Sequence, residues 1–489
     1  MPRATWYLVV GLLALLVPAA LALLVFPTPS SDTRELFAWG HFFTLSTAKH
    51  PPMMQWIGGA TEWLLAPSAF WAVVVTQVLN AAGLAYTYAT ARLTVERDQA
   101  AFFTLLLATS VYVIAGPLPF ALNADVLQFP FWAAIVFHAV KAAQTNRPLH
   151  WICLGLGSAA AAYTKYTALV LFLSLAAASL AVADFRGIWR RPGLYLAALI
   201  GAGLLLPHIL SVRDTTAIGH ATGLLEPETG IVERATNLMQ IAIGVLLWLA
   251  PAWIFIAVGF LRRDCELAVS SASVARFLRA TCLSAFGFLI LLVAVLGLKY
   301  ESRYDSPFLF LIVLGAATLI GFDRDRWAAT EQRTLRAAVI APAATFALAI
   351  LVYGVFTGHD YMQEPAGQAA SIVQSDWSAK YRCGPAYIMG DVWSAYGLAI
   401  ANKQDVVGVP LGALHDLQWY DPLALKHFGA IVVYRDQIDL NELETAFPGL
   451  KPSGVRSFTL PLLRTFANRT LTYVYFFIPP EGCFAANTP

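Results

Sequence analysis

The sequence predicts a multi-pass α-helical membrane protein, with about eleven transmembrane helices followed by a small α/β domain outside the cytoplasm. Of its 489 residues, 58% are hydrophobic and only 13% are charged, and the mean hydropathy is +0.62. Soluble globular proteins carry about 25% charged residues. The second observation is a change after residue 357, from long apolar segments to short β-like ones. The net charge of +2 gives no indication of a nucleic-acid-binding surface.

The transmembrane helices are predicted from apolar segments, since a crossing needs about 20 largely apolar residues. The segments lie at 6–25, 67–90, 101–117, 124–141, 150–163, 167–184, 194–212, 239–261, 280–298, 306–322 and 337–356. The first follows Arg3 directly. Because so many spans follow it, we expect an uncleaved first helix rather than a signal peptide.

The stretch 150–184 decides whether the number of crossings is odd or even. As one helix its 35 residues would reach about 52 Å, against an apolar core of about 30 Å. A break at Tyr163–Tyr166, with Lys165 at the apex, places the Arg-rich loops around residues 92–97, 186–191 and 262–279 on one side. Positive loops are typically cytoplasmic. We therefore predict an inner (plasma) membrane protein with its N-terminus inside and its C-terminus outside.

Two domains are predicted. Residues 1–357 form the transmembrane domain, with a first outer loop at 26–66 that contains an interfacial helix, and residues 358–489 form the extracytoplasmic α/β domain. The latter contains the β-like runs "AYIMGDVW", "GAIVVYRD" and "LTYVYFFIP". Cys383 and Cys483 lie in it, and an oxidising compartment would permit a disulfide between them, which the sequence leaves open.

The predicted outer loops bring acidic and basic residues to one membrane level. These are Asp32, Arg34, Glu35, His41, Lys49 and His50 in the first loop, and Asp125, Lys165, Arg303 and Tyr304 in later ones. Arg and Lys bind phosphate, and a carboxylate can accept a hydroxyl proton. The set therefore suits a phosphate-bearing lipid and a reacting hydroxyl.

Each of these residues also has a purely structural interpretation. Asp32 and Glu35 have the spacing of a capping box, and Asp125 could cap a helix that begins at Val126. Lys165 could extend from a helix end to the headgroups. Arg303 could be a boundary charge and His50 an ordinary loop residue. Spacing alone favours structure over catalysis for Asp32 and leaves Asp125 undecided.

Absent motifs narrow the function. The sequence has no GxxxxGK[ST] loop, no GxGxxG after a strand, no HExxH pair and no GxSxG elbow. An ATP-driven pump, a Rossmann nucleotide site and zinc-dependent hydrolysis are therefore not indicated.

At these residues the sequence resembles the GT-C membrane glycosyltransferases, in the bacterial branch of the lipid A aminoarabinose transferases and the dolichyl-phosphate-mannose protein mannosyltransferases. The similar segments are Asp32 with "FAWGHFF" and His50-Pro51-Pro52, "NADVLQFPFW" with Asp125, "GLGSAAAAYTKYTALVLF" with Lys165, and "SRYDSP" with Arg303 and Tyr304. The resemblance covers roughly the first 185 residues and residues 303–307. It departs at Thr33, where the family has Glu, so that Glu35 is the nearest acid.

The resemblance implies an inverting transfer of a sugar from a polyprenyl-phosphate carrier to a hydroxyl of a glycolipid, lipid A or a protein. Asp32 would be the base, and Asp125 would orient either the partner loop of Asp32 or the sugar. Lys165 and Arg303 would bind the phosphate. Residues assigned further substrate contacts are Arg34, Glu35, Lys49, His50 and Tyr304. No cofactor is expected, and cations at the leaving group would make a metal dispensable.

Two other functions use the same features. One is a transporter or flippase of lipid-linked sugars, disfavoured because matching halves with broken helices are not evident. The other is a non-catalytic envelope assembly protein that recruits partners through its outer domain.

Overall fold

The computed structural model describes fourteen parts of the chain. They are residues 3–47, 51–65, 67–114, 122–212, 230–298, 300, 307–322, 340, 344, 347–348, 360–402, 406–417, 419–463 and 469–483. The chain divides into two compact units. The helical unit comprises Met1–Ala22, Lys49–Met53 and Val73–Leu351, and the mixed unit comprises Leu23–Ala48, Met54–Ala72 and Val352–Pro489.

Helices dominate the described chain. In order they are α1 (Arg3–Val25), α2 (Ser31–Gly40), α3 (Met53–Leu65), α4 (Ala69–Ala91), α5 (Arg97–Ala108), α6 (Val111–Ile114), α7 (Ala124–Thr145), α8 (Pro148–Thr164), α9 (Ala168–Ala181), α10 (Pro192–Val212), α11 (Ile231–Trp248), α12 (Ala250–Leu261), α13 (Ser273–Leu296), α14 (Leu309–Ala317), α15 (Ala366–Ser378), α16 (Val392–Ala401), α17 (Pro422–Phe428) and α18 (Leu440–Ala446). The strands are β1 (Cys265–Leu267), β2 (Ile320–Phe322), β3 (Tyr387–Gly390), β4 (Val407–Pro410), β5 (Ala430–Arg435), β6 (Arg456–Pro461) and β7 (Thr470–Ile478).

The membrane-spanning character of the chain is confirmed. Among the described residues, six helices are long and apolar enough to cross a membrane, or seven if one bent pair counts as a single span. They are α1, α4, α7, α10, α11 and α13, with α9 and the following 3-10 turn as the bent pair. The count of eleven stays a prediction, because α5 has only 12 residues and much of the segment 337–356 lies outside the described residues.

The break predicted within residues 150–184 is confirmed. Helix α8 ends at Thr164, Lys165 has extended backbone angles (φ −164°, ψ 141°), and α9 begins at Ala168. The Tyr163 hydroxyl donates to the Leu204 carbonyl at 2.6 Å and so links the end of α8 to α10. Lys165 is therefore presented at an extended residue between two short helices.

The mixed unit contains the predicted α/β domain. Its five-stranded sheet has the order β4-β3-β5-β7-β6. Strand β3 pairs parallel with β4 and β5, and β7 pairs antiparallel with β5 and β6. Alternate residues of β5 enter different cores: Ile431 and Val433 pack with Trp377 of α15, whereas Val432 and Tyr434 pack with Leu425 of α17. This is the two-residue period of a strand covered on both faces.

Part of the predicted first outer loop belongs to the same unit. Helices α2 and α3 approach so closely that a Cβ atom on Gly58 would lie 2.3 Å from the Leu36 carbonyl oxygen. A Cβ atom on Gly40 would lie 2.2 Å from the Gly59 nitrogen. The Thr28 amide donates to the Met362 carbonyl at 3.2 Å. The loop segment is thereby joined to the C-terminal α/β fold, while a domain boundary at residue 357 stays a prediction.

Cys383 and Cys483 form the disulfide that the sequence left open, with 6.0 Å between their Cα atoms and a separation of 100 residues. Since a crosslink of this span restricts the unfolded chain strongly, we expect Cys383→Ser to lower the free energy of unfolding of this domain by about 4 kcal/mol. Denaturant titration of the solubilised full chain, followed by tryptophan fluorescence, measures the change. Cys153→Ser is the matched control, and an equal effect of both variants would contradict the expectation.

Candidate active site

Asp32 lies within the first turn of α2 and does not cap it. The helix begins at Ser31 with Ser30 in the N-cap position, where its side chain makes no capping bond. The Ser30 and Thr33 hydroxyl oxygens are 2.9 Å apart instead. The capping-box interpretation of Asp32 and Glu35 is therefore wrong, because the helix starts earlier than that pattern requires. An acid in this first turn interacts favourably with the helix dipole.

Arg34 points into the mixed unit. The residue is 1% exposed, and its guanidinium forms an ion pair with the buried carboxylate of Glu364. It also donates to the carbonyls of Pro29 at 3.0 Å and Trp393 at 3.1 Å. In this arrangement Arg34 is structural, and the phosphate contact assigned to it from the sequence stays a prediction.

Other side chains of α2 contact α16. The Trp39 indole donates to the Tyr396 hydroxyl at 2.7 Å. Burial, together with the nearby carboxylate of Glu35, raises the pKa of Tyr396, which keeps that hydroxyl neutral. Beyond the helix, the Phe42 ring stacks on Trp419 with 5.3 Å between centroids. Trp39 and Phe42, two aromatic residues of the predicted first outer loop, thus pack on the α/β fold.

Asp125 is paired with Lys165. The helix α7 begins at Ala124, and the Asn123 side chain caps it by accepting from the amides of Asp125 and Val126, each at 3.1 Å. The proposed cap role of Asp125 is therefore wrong. Its carboxylate, in a residue that is 6% exposed, accepts from Lys165 Nζ at 3.0 Å. Lys165 does not simply extend to the headgroups, since its ammonium is directed at this acid.

A polar face continues along α7 from this ion pair, and the sequence analysis missed it. Asp125, Gln128 and Trp132 have the i, i+3, i+7 spacing of one helix face, and the last two are fully buried. Gln128 Oε1 accepts from the Thr167 hydroxyl at 3.3 Å. Gln128 Nε2 and Trp132 Nε1 find no partner in the described parts of the chain. Polar residues at helical spacing within "NADVLQFPFW" are the signal that could have revealed this face.

The structure brings together some of the predicted residues within each unit. Asp125 and Lys165 meet in the helical unit, and Asp32, Arg34 and Glu35 share α2 in the mixed unit. Four others, Lys49, His50, Arg303 and Tyr304, lie outside the described residues. The described parts contain no group of three or more His, Cys, Asp or Glu side chains that could hold a metal. The catalytic and binding roles stay predictions.

The helical unit has a cavity of about 960 Å³ away from this ion pair. It is lined by the loop before α5, including Arg92 and Glu96, and by Asp98 and Gln99 of its first turn. Because neither Asp125 nor Lys165 is among its lining residues, we do not assign the reaction to this cavity.

Comparisons with known proteins agree with the resemblance found in the sequence. Residues 49–210, which include Asp125 and Lys165, match the family model of dolichyl-phosphate-mannose-protein mannosyltransferase. No curated protein sequence matches the chain.

The crystal structure of ArnT from Cupriavidus metallidurans in the apo state is similar over 97% of this chain and 98% of that one, with 13% identity and a TM-score of 0.60. The archaeal oligosaccharyltransferase AglB from Archaeoglobus fulgidus gives 11% identity over 83% of this chain and 64% of that chain, with a TM-score of 0.44. The likeness to ArnT, which extends over both predicted domains, shows the fold. The chain is thus similar in fold to ArnT and, over residues 49–210, in sequence to the mannosyltransferase family model.

Proposed function

We propose that this protein transfers a sugar from a polyprenyl-phosphate carrier to a hydroxyl acceptor at the outer face of the inner membrane. The observation that carries the proposal is the Asp125–Lys165 pair, held at 3.0 Å where one helix starts and another breaks. A cation so placed suits the phosphate of a lipid-linked sugar. The matched family is described by such a donor, dolichyl-phosphate-mannose.

The proposed reaction is a single displacement with inversion. Asp32 accepts the proton of the acceptor hydroxyl while the hydroxyl oxygen bonds to the anomeric carbon. The bond between that carbon and the phosphate oxygen breaks, and polyprenyl phosphate leaves with the electron pair. Lys165 meets the negative charge that develops on the leaving oxygen, and Arg303 adds a second cation. With two cations there, the leaving group needs no proton donor.

Asp125 has a positioning role in this mechanism. Without donor it pairs with Lys165, which is only partly exposed, and offsets the cost of holding that charge at the edge of the membrane domain. When the phosphate binds, the Lys165 ammonium can contact both the phosphate and the Asp125 carboxylate, since it has three N–H donors. Asp125 thereby holds Lys165 in reach of the phosphate.

The acceptor belongs to the same proposal. The acceptor would be a glycolipid, lipid A or a protein, and its hydroxyl would lose its proton to Asp32. Glu35 is the acid available to take over the contact made elsewhere in the family by the Glu that Thr33 replaces. In the orientation that we propose, the N-terminus is cytoplasmic and the mixed unit is extracytoplasmic.

Consumption of a polyprenyl-phosphate sugar by the purified protein in detergent tests the proposal. Transfer proceeds in one compartment, whereas transport across a membrane needs two, so release of polyprenyl phosphate with an added acceptor supports an enzyme over a flippase. Mass spectrometry of envelope glycolipids from cells with and without the protein identifies the acceptor. An unchanged glycolipid and glycoprotein profile, with no donor consumption, would refute the proposed function.

A further inference from the structure

We propose that Glu364 and Tyr473 are positioning residues for the transfer reaction, because they hold Arg34 and thereby fix the helix that carries Asp32 and Glu35. The three side chains Arg34, Glu364 and Tyr473 are called the α2 latch below. The inference rests on the proposed function for its catalytic consequence. Its structural basis, the docking of α2 on the α/β fold, lies within the mixed unit alone.

The α2 latch is a continuous buried chain of hydrogen bonds. Arg34 Nη1 donates to Glu364 Oε2, and the Tyr473 hydroxyl donates to Glu364 Oε1 at 2.9 Å. Arg34 is 1% exposed and the other two are 0% exposed. Burial, and then the adjacent Glu364 carboxylate, raise the pKa of Tyr473, so its hydroxyl stays protonated and keeps donating at neutral pH. Both carboxylate oxygens of Glu364 are thus occupied.

The surroundings leave Arg34 little room to move. A Cβ atom on Gly397 would lie 2.4 Å from Arg34 Nη1, so glycine at this position of α16 lets the guanidinium pass. The Arg34 Nε–H is held by the Pro29 carbonyl, just before α2. The Thr28 amide is bonded to Met362, two residues from Glu364. The start of α2 and the segment carrying Glu364 are therefore tied at two points.

A contribution to folding stability does not by itself explain a buried ion pair such as Arg34 with Glu364. Removing two charges from water is costly, and well-packed apolar residues of similar volume often stabilise a fold equally well. What charged groups add is direction: a guanidinium and a carboxylate meet in a defined geometry. Asp32 and Glu35 lie two residues before and one residue after Arg34. A displacement of about 1 Å in such a helix can lower a reaction rate by about 10²-fold.

The test separates positioning from stability with a double variant. Arg34→Met alone or Glu364→Leu alone removes one member of the buried ion pair and keeps the other charge buried, and each should unfold the mixed unit at a lower temperature. Arg34→Met combined with Glu364→Leu removes both charges, so its melting temperature should lie above that of either single variant. We expect the double variant to keep the KM for the donor within about threefold while kcat falls by about 10²-fold. Wild-type kcat in the folded double variant would overturn the inference.

A matched control uses a second ion pair of the mixed unit, between α15 and β6. Arg456 and Asp376 form a salt bridge at 2.6 Å, exposed and remote in sequence from α2. Arg456→Met combined with Asp376→Leu makes the same chemical change and should leave kcat unaltered.

Tyr473→Phe covers the case in which the double variant does not fold, because it keeps the ion pair and removes one bond to Glu364. Its kcat should fall by about tenfold, and unchanged kcat would count against the latch.

Hydrogen exchange followed by mass spectrometry tests the latch without any activity assay. In Tyr473→Phe and the double variant, amides of Arg34–Gly40 should exchange at least about tenfold faster than in the wild type, whereas those of β5 should not change. Equal protection of α2 in all forms would overturn the inference. Absence of transfer by the wild-type protein would instead refute the proposed function, and the exchange result would still decide whether the latch holds α2.

Discussion

Asp32→Asn is expected to lower the rate of sugar transfer by about 10²-fold or more, while the protein still folds and inserts. The asparagine side chain has the same shape but cannot accept the hydroxyl proton. Since Ser30, not Asp32, occupies the N-cap position of α2, the helix loses no capping bond. Release of polyprenyl phosphate under saturating donor measures the effect. The loss should appear in kcat, because the proton moves only in the transition state.

Asp98→Asn provides the matched control for this variant. Asp98 is likewise an acid in the first turn of a helix, α5, and its carboxylate accepts from the Ala4 amide at 3.2 Å. It loses the same favourable interaction with a helix dipole but has no assigned chemistry. If both variants reduce transfer equally, or if Asp32→Asn keeps full activity, Asp32 serves only the helix and the proposed base is wrong.

Lys165→Met is expected to reduce transfer by about 10²- to 10³-fold, since it removes a cation aimed at the developing charge of the leaving phosphate. Methionine retains much of the apolar stem, so the break between α8 and α9 should persist. Because the buried Asp125 then loses its partner, Asp125→Asn is combined with it to remove the unpaired charge. Recovery of stability without recovery of kcat would assign Lys165 to the reaction.

The control for Lys165 lies on the same hairpin of helices. Lys141→Met changes a lysine near the other end of α7, in a region rich in positive charge, and should leave transfer within about twofold of the wild type. Wild-type transfer by the combined Asp125→Asn, Lys165→Met protein would contradict the role of the ion pair and remove the main support for the proposed mechanism.

The sequence predicted the membrane-embedded class well because length and apolarity are local properties. The break near Lys165 followed from two local quantities, the number of residues in 150–184 and the position of Arg-rich loops. The short β-like runs after residue 357 became β3, β5 and β7, since strand propensity and turn residues are also read over a few positions.

The N-caps of α2 and α7 are the features that local sequence patterns predicted wrongly. Asp32 and Asp125 each fit an N-cap pattern, but Ser30 and Asn123 occupy those positions. One or two residues of helix extension change a cap into a first-turn acid, and helix boundaries are the least certain part of a sequence-based prediction. This difference matters for the proposed function, because an Asp125 carboxylate that does not cap α7 is available to pair with Lys165.

The ion pair of Arg34 with Glu364 had no local signal at all, since 330 residues separate its members. Sequence by itself determined that the chain spans a membrane and where the long apolar stretch breaks, and it predicted which charged residues lie in outer loops. Only the tertiary structure decided that Arg34 turns into the α/β fold while Lys165 turns to Asp125. Apolar periodicity depends on neighbours in the chain, whereas the partner of a buried charge is chosen by the packing of distant segments.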